Sequence, residues 1–151
     1  MTGRITHGGD LQLLATFGER VRLLAERLGP ILVQLPETRP REDGLLALVL
    51  DSVDPELAYA FELRHPSWDA PEVAETLADR GIARVNDLTT AAPFRYLRLR
   101  DPPYDETRLE ALAQELRSPL AAGIPVYAYF KHEEEPTAPR YASRLLELLR
   151  P

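Results

Sequence analysis

The chain has 151 residues, enough for one domain that buries about two thirds of its unfolded surface. Its 44% apolar and 28% charged residues are ordinary for a soluble globular protein, and no apolar run nears the ~20 residues needed to span a bilayer. Cysteine is absent, which excludes disulfides and thiolate metal sites, and a net charge of −6 leaves no general basic surface for nucleic acid or anionic membrane.

Met1 to Asp10 is polar and glycine-rich, unlike a signal peptide, so a cytoplasmic location is the default expectation. Residues 1 to 9 read as loop. Leu13, Leu14, Phe17, Val21, Leu24 and Leu28 then fall on one face of a helix running from about Leu11 to Leu28, with Asp10 as its N-cap and Gly29-Pro30 as its stop. ILVQLP, 31 to 36, is the short apolar run of a strand covered on both faces. A second helix is expected over Gly44 to Val53.

The strand beginning near Ala58 is the most informative. Tyr59, Phe61 and Leu63 alternate with Ala60, Glu62 and Arg64, and His65-Pro66-Ser67-Trp68 stops the run. Charge that appears only at a strand's carboxyl end resembles one stave of an α/β barrel, whose chemistry sits at that end. A short helix follows from Pro71 to Gly81, with Asp69 or Ala70 as its cap. A third strand is expected at 82 to 87 and a fourth at 94 to 100, where Leu97 and Leu99 alternate with Tyr96, Arg98 and Arg100. Thr107 to Leu120 is helical, VYAYF at 126 to 130 is the fifth strand, and Tyr141 to Arg150 is an amphipathic closing helix.

Alternating helices and strands signal a parallel sheet with helices packed outside it. One joint is irregular. About six residues separate the third and fourth strands, too few for the usual ~10–12-residue crossover. Either those strands meet through a tight loop or one of them is misread.

ILVQLP, YAFELRHPSW, YLRLR and YFKHEEEPTAPRYASRLLELL together resemble the YecE-like family, a domain of unknown function with a TIM-barrel fold. The Ile5-Thr6-His7 opening resembles a segment that follows an early barrel strand in that family. The resemblance implies a single domain over 1–151 that starts partway through the family's barrel, with roughly three strands absent. The expected fold is therefore α/β, an incomplete TIM-type barrel of about five mostly parallel strands. Two positions depart from the family pattern. Lys131-His132 stands where the family usually has Asn-Asn, and Arg100-Asp101 where it tends to have His-Gly.

Glu62 and Arg64, two apart on one strand, should share a face, and Arg98 projects similarly from another strand. In the functional reading Glu62 is a general acid or base, and Arg64 with Arg98 clamps an anionic group. In the architectural reading the same residues form a buried network that plugs a barrel. His65 either catalyses or holds its loop through a backbone carbonyl. Asp87 is a base, a ligand or a turn cap, and Gln34 must hydrogen-bond a ligand or a neighbouring carboxylate. His7 and His132 are ligand-binding candidates by their strand-end positions.

Glu62, His65, Asp87 and His132 have no metal-site spacing, so no metal is expected, and the sequence names no cofactor. Three functions remain open: a small-molecule enzyme acting on an anionic substrate, a non-catalytic module for an anionic ligand, and a truncated barrel. Neither nucleic acid nor membrane is an expected partner. Open sheet edges would recruit a second copy or another chain, because unpaired backbone groups seek strands.

Overall fold

Ile31–Leu35 (β1), Tyr59–Leu63 (β2) and Ala83–Arg84 (β3) form a parallel sheet in the order β1-β2-β3, seen in a computed structural model that describes residues 8–131 and 136–150. Residue contacts divide the chain into two compact units between Arg84 and Val85. In the first, Ile31, Val33 and Leu35 of β1 and Tyr59, Phe61 and Leu63 of β2 enter one apolar core. Helices Asp43–Ser52 (α2) and Pro71–Asp79 (α3) bring Leu46, Val49, Leu50, Val73 and Leu77 to the same core. The period of two in the strands and of 3.6 in the helices makes these faces meet.

The first helix, Gly8–Val21 (α1), starts before its expected cap, so Asp10 lies inside its first turn. It also ends early. Arg22–Arg27 is a 3₁₀ segment in which Ala25 takes φ 46°, a left-handed conformation costing about 1–2 kcal/mol for a residue with a Cβ. Arg22 turns at this break to donate to Asp54 and to Glu56, the latter at 2.7 Å. The single helix expected to Leu28 is therefore two pieces, and its apolar stripe is divided. Leu14 and Val21 are buried, while Leu13 and Leu24 are 58% and 52% exposed.

The second unit holds Arg95–Leu99 (β4) and Val126–Phe130 (β5), parallel over five register pairs from Arg95 beside Val126 to Leu99 beside Phe130. Glu106–Ala121 (α4) and Ala138–Leu148 (α5) cover one face through Leu109, Leu116 and Leu145, which pack with Leu97. Asp105 caps α4 by accepting from the Arg108 amide at 2.9 Å. Tyr104 and Tyr141 close edge-on against each other, and Tyr104 does so against Phe130. Arg108 lies over the Tyr104 ring, 4.4 Å from its centre.

The irregular joint resolves at the third strand. Only Ala83–Arg84 pairs, with β2, instead of the whole of 82 to 87. Asn86 then takes φ 62° and ends the extended run. Because β3 pairs with β2 and β4 with β5, no crossover has to fit into the short connection. The class is the expected α/β, with every strand pairing among the described residues parallel and the βα repeat from which TIM-type barrels are built. Among the described residues, no helix is long and apolar enough to cross a membrane.

Trp68 sits wholly inside the first core, and its indole N–H donates to the Arg39 carbonyl at 3.0 Å. Trp68→Phe removes that donor and leaves a void, and should cost about 1–3 kcal/mol. Urea unfolding followed by circular dichroism checks this; an unchanged midpoint would show that the indole is not a structural anchor.

Candidate functional site

The alternation that buries Phe61 and Leu63 turns Glu62 to the opposite face. The register places it directly beside Gln34, and both are half-buried at the carboxyl ends of their strands. An amide next to a carboxylate in that position can orient it or share a ligand with it. Arg64 behaves differently. β2 stops at Leu63, and although the Arg64 amide still donates to the Leu35 carbonyl at 3.2 Å, its side chain stays in solvent. Its guanidinium donates to Glu37 at 3.1 Å, so its described partner is Glu37 and not Glu62.

His65 holds its loop, through a bond of the opposite sense to the one expected. Among the described residues its bond partner is Ser67 and not a backbone carbonyl. Its Nδ1 accepts from the Ser67 amide at 3.1 Å and lies 2.9 Å from Ser67 Oγ, which caps the short 3₁₀ turn Pro66–Trp68. Ser67 Oγ in turn accepts from the Arg41 amide at 2.6 Å. His-Pro-Ser-Trp is thus a knot: histidine caps, proline presets φ, serine reaches the loop after β1, and tryptophan seals the core. Arg41 also donates to Asp43 and Glu72, tying both flanking helices to the same loop.

In the second unit Asp87 lies in the loop beyond the shortened third strand. Its carboxylate accepts from the Thr89 amide and hydroxyl, each at 2.8 Å, and from the Thr90 amide and hydroxyl at 3.0 and 2.5 Å. Burial pushes its pKa up, but the bonds from Thr90 and Thr89 outweigh that and hold it at about 2. It is ionised at neutral pH and weakly basic.

Asn86, just before it, had not been a candidate. Its side-chain Oδ1 accepts from the Arg98 amide at 2.8 Å and its amide nitrogen donates to the Arg98 carbonyl at 3.4 Å, while its own backbone N–H donates to the Tyr96 carbonyl at 2.9 Å. One side chain therefore does for β4 what an adjacent strand would do. The signal was the Asn-Asp dipeptide, since asparagine tolerates φ > 0 and marks turns. Arg98 stands on β4 beside Tyr129 of β5, on the face away from Leu97 and the helices.

Gln34 and Glu62 stand side by side, then, whereas Arg64, His65 and Asp87 have local partners beside their own strands and loops. His7 and His132 lie outside the described residues. Among the described residues, no three histidine, aspartate or glutamate side chains gather as a metal site.

Parallel strands joined through helices, with polar side chains at the strands' carboxyl ends, define the α/β class that builds its sites at that end. Within that class the chain belongs to the family described as Protein of unknown function DUF72, whose model it matches over residues 1–151. This is the family that the YecE-like resemblance indicated. A DUF72 family protein from Thermotoga maritima MSB8 is similar in structure, with TM-score 0.79 and 22% identity, over 93% of this chain and 65% of that one. Another from Enterococcus faecalis V583 has TM-score 0.78 and 15% identity, over 95% of this chain and 70% of that one. The chain thus spans about two thirds of the length of these solved relatives. No curated protein matches it.

Two outcomes follow from the loop before β4. Asn86→Gly keeps the left-handed backbone but removes the bonds to Arg98, and should cost about 1–2 kcal/mol. Asn86→Ala adds backbone strain and should cost about 1 kcal/mol more in urea unfolding. The Asp87 carboxyl, depressed to about 2, contributes stability that is present above its unfolded pKa near 3.9 and is lost as pH falls towards 2. Unfolding midpoints at pH 5 and pH 2.5 should therefore diverge less in Asp87→Asn than in the wild type.

Proposed function

We propose that the protein is a small-molecule enzyme acting on an anionic substrate, with Glu62 as its acid–base group. The observation that carries this reading is the pairing of Gln34 and Glu62 side by side at the carboxyl ends of β1 and β2, half-buried and turned away from the apolar core. A half-buried carboxylate beside an amide donor is suited to giving and taking a proton on a bound substrate. Arg64 is the nearest basic residue in sequence. Its exposed pair with Glu37 is of a kind worth only ~0–1 kcal/mol, so the guanidinium can turn to a substrate anion at small cost.

A non-catalytic anion-binding module is the second reading, and a specific observation favours it. His65 and Asp87, the other catalytic candidates, spend their acceptor atoms on loop amides and hydroxyls. Two of the three acid–base candidates thus serve their own loops, as in a site that holds an anion without turning it over.

Small carboxylates and phosphates screened by thermal shift should identify a stabilising anion, whose conversion is then followed by NMR. Glu62→Gln keeps the size and hydrogen bonding of the side chain. It should retain the thermal shift and lose conversion by about 10²–10⁴-fold. Unchanged conversion excludes Glu62 as the proton carrier, and a wild-type shift without conversion establishes the binding module.

A further inference from the structure

Strand β5 turns Val126, Ala128 and Phe130 towards α4 and α5, yet all three are only half-buried. Leu97, the register partner of Ala128 on β4, faces the same way and is buried. The difference is a pocket of about 460 Å³ over β5. Leu116 and Leu120 of α4 and Ala142 and Leu146 of α5 wall it. Leu120 and Leu146 are 40% and 64% exposed and so stand at its open rim. Arg150, just beyond α5, is the charged residue of the lining.

The frame around this pocket is held. Arg117 of α4 donates to the Leu148 carbonyl at the end of α5 at 2.9 Å, and Arg144 of α5 donates to Glu106 at the start of α4 at 3.0 Å. Two well-separated points of α4 are thus tied to α5, while five register pairs with β4 fix the floor. A ligand entering a preformed pocket has little of the wall left to order. The volume lies in the ~300–1,000 Å³ range of small-molecule sites, and an apolar cavity of about 150 Å³ is enough to take up benzene. A stable protein interface engages about 20–30 residues a side, against the ten described residues that line this pocket.

We propose that this pocket binds a fatty carboxylate, with its alkyl chain along Val126, Ala128 and Phe130 and its head group at Arg150. Burying each methylene favours entry of the chain, and the guanidinium selects the head group by bonding a carboxylate through two parallel N–H groups. From Val126 to Phe130 the floor extends about 13 Å at ~3.3 Å per residue, which suits a chain of medium length. The site lies within the second unit and uses neither Gln34 nor Glu62, so it stands apart from the acid–base reading.

Calorimetric titration tests this with hexanoate, octanoate and decanoate, and with octylammonium as the control of opposite charge. Affinity should rise about fourfold per methylene along the carboxylate series, and octanoate should bind more tightly than octylammonium. Arg150→Gln should weaken octanoate by about three- to fivefold and leave octylammonium no weaker. Arg150 is exposed, so an unchanged ligand-free melting point shows that this variant is folded. Ala142→Trp fills the pocket and should weaken octanoate by about tenfold or more. Glu62→Gln should leave octanoate affinity unchanged, which separates this site from the acid–base reading. Affinity independent of chain length, octylammonium binding as tightly as octanoate, or equal octanoate affinity in Arg150→Gln or in folded Ala142→Trp would overturn the proposal. So would a dimer in sedimentation velocity that octanoate dissociates, because a second copy would then fill the groove.

Discussion

The five-residue parallel register between β1 and β2 is the constraint on which the first unit depends. Side chains along a strand alternate, so a slip of one residue would exchange the two faces completely. Phe61 and Leu63 would lose their places against α2 and α3, and Glu62 would enter the core without solvent. The same alternation that builds the core therefore also sets Glu62 beside Gln34. The polar pair and the apolar cluster are two faces of one pairing, and neither can shift without the other.

The knot after β2 secures that register from outside the sheet. Parallel strands cannot be joined by a tight hairpin, so their ends are positioned by loops that must be held separately. Ser67 Oγ accepts from Arg41 and the Trp68 indole donates to Arg39, so two residues of one short turn bind the loop that leaves β1. Arg41 spreads its guanidinium between Asp43 and Glu72, and those carboxylates hold its pKa above the usual arginine value. As an exposed network this contributes little to stability, but it constrains where α2 and α3 begin.

How legible these features were depended on how local their causes are. β5 could be read to the residue, because VYAYF between Pro125 and Lys131 is β-branched and aromatic with clear breakers. The α/β class and the polar strand ends were equally legible, since alternation carries both. The break in α1 was not, because Arg22 is drawn to Asp54 and Glu56, 32 and 34 residues away, and no helical pattern records that. The polarity of the His65 bond was also hidden. A ring nitrogen accepts or donates according to its neighbours, and Ser67 decides the matter only once the turn has formed. Arg64 looked like a partner of Glu62 because the period of two was extended one residue past the strand that sustains it.

Asn86 shows most clearly how a short element can be completed from outside regular structure. β4 pairs with β5 along one edge, and Asn86 supplies further hydrogen bonds to its backbone of the kind that a neighbouring strand would give. A side-chain amide carries one donor and one acceptor with nearly the spacing of a peptide unit, so a single asparagine can satisfy both groups of Arg98. For that the residue must leave the extended region, and φ 62° is tolerated far better by asparagine than by a β-branched side chain. The six residues that looked too few for a crossover are enough for this device. It lets one well-placed amide do the work of a strand, and it fixes the backbone of Arg98 near the end of β4.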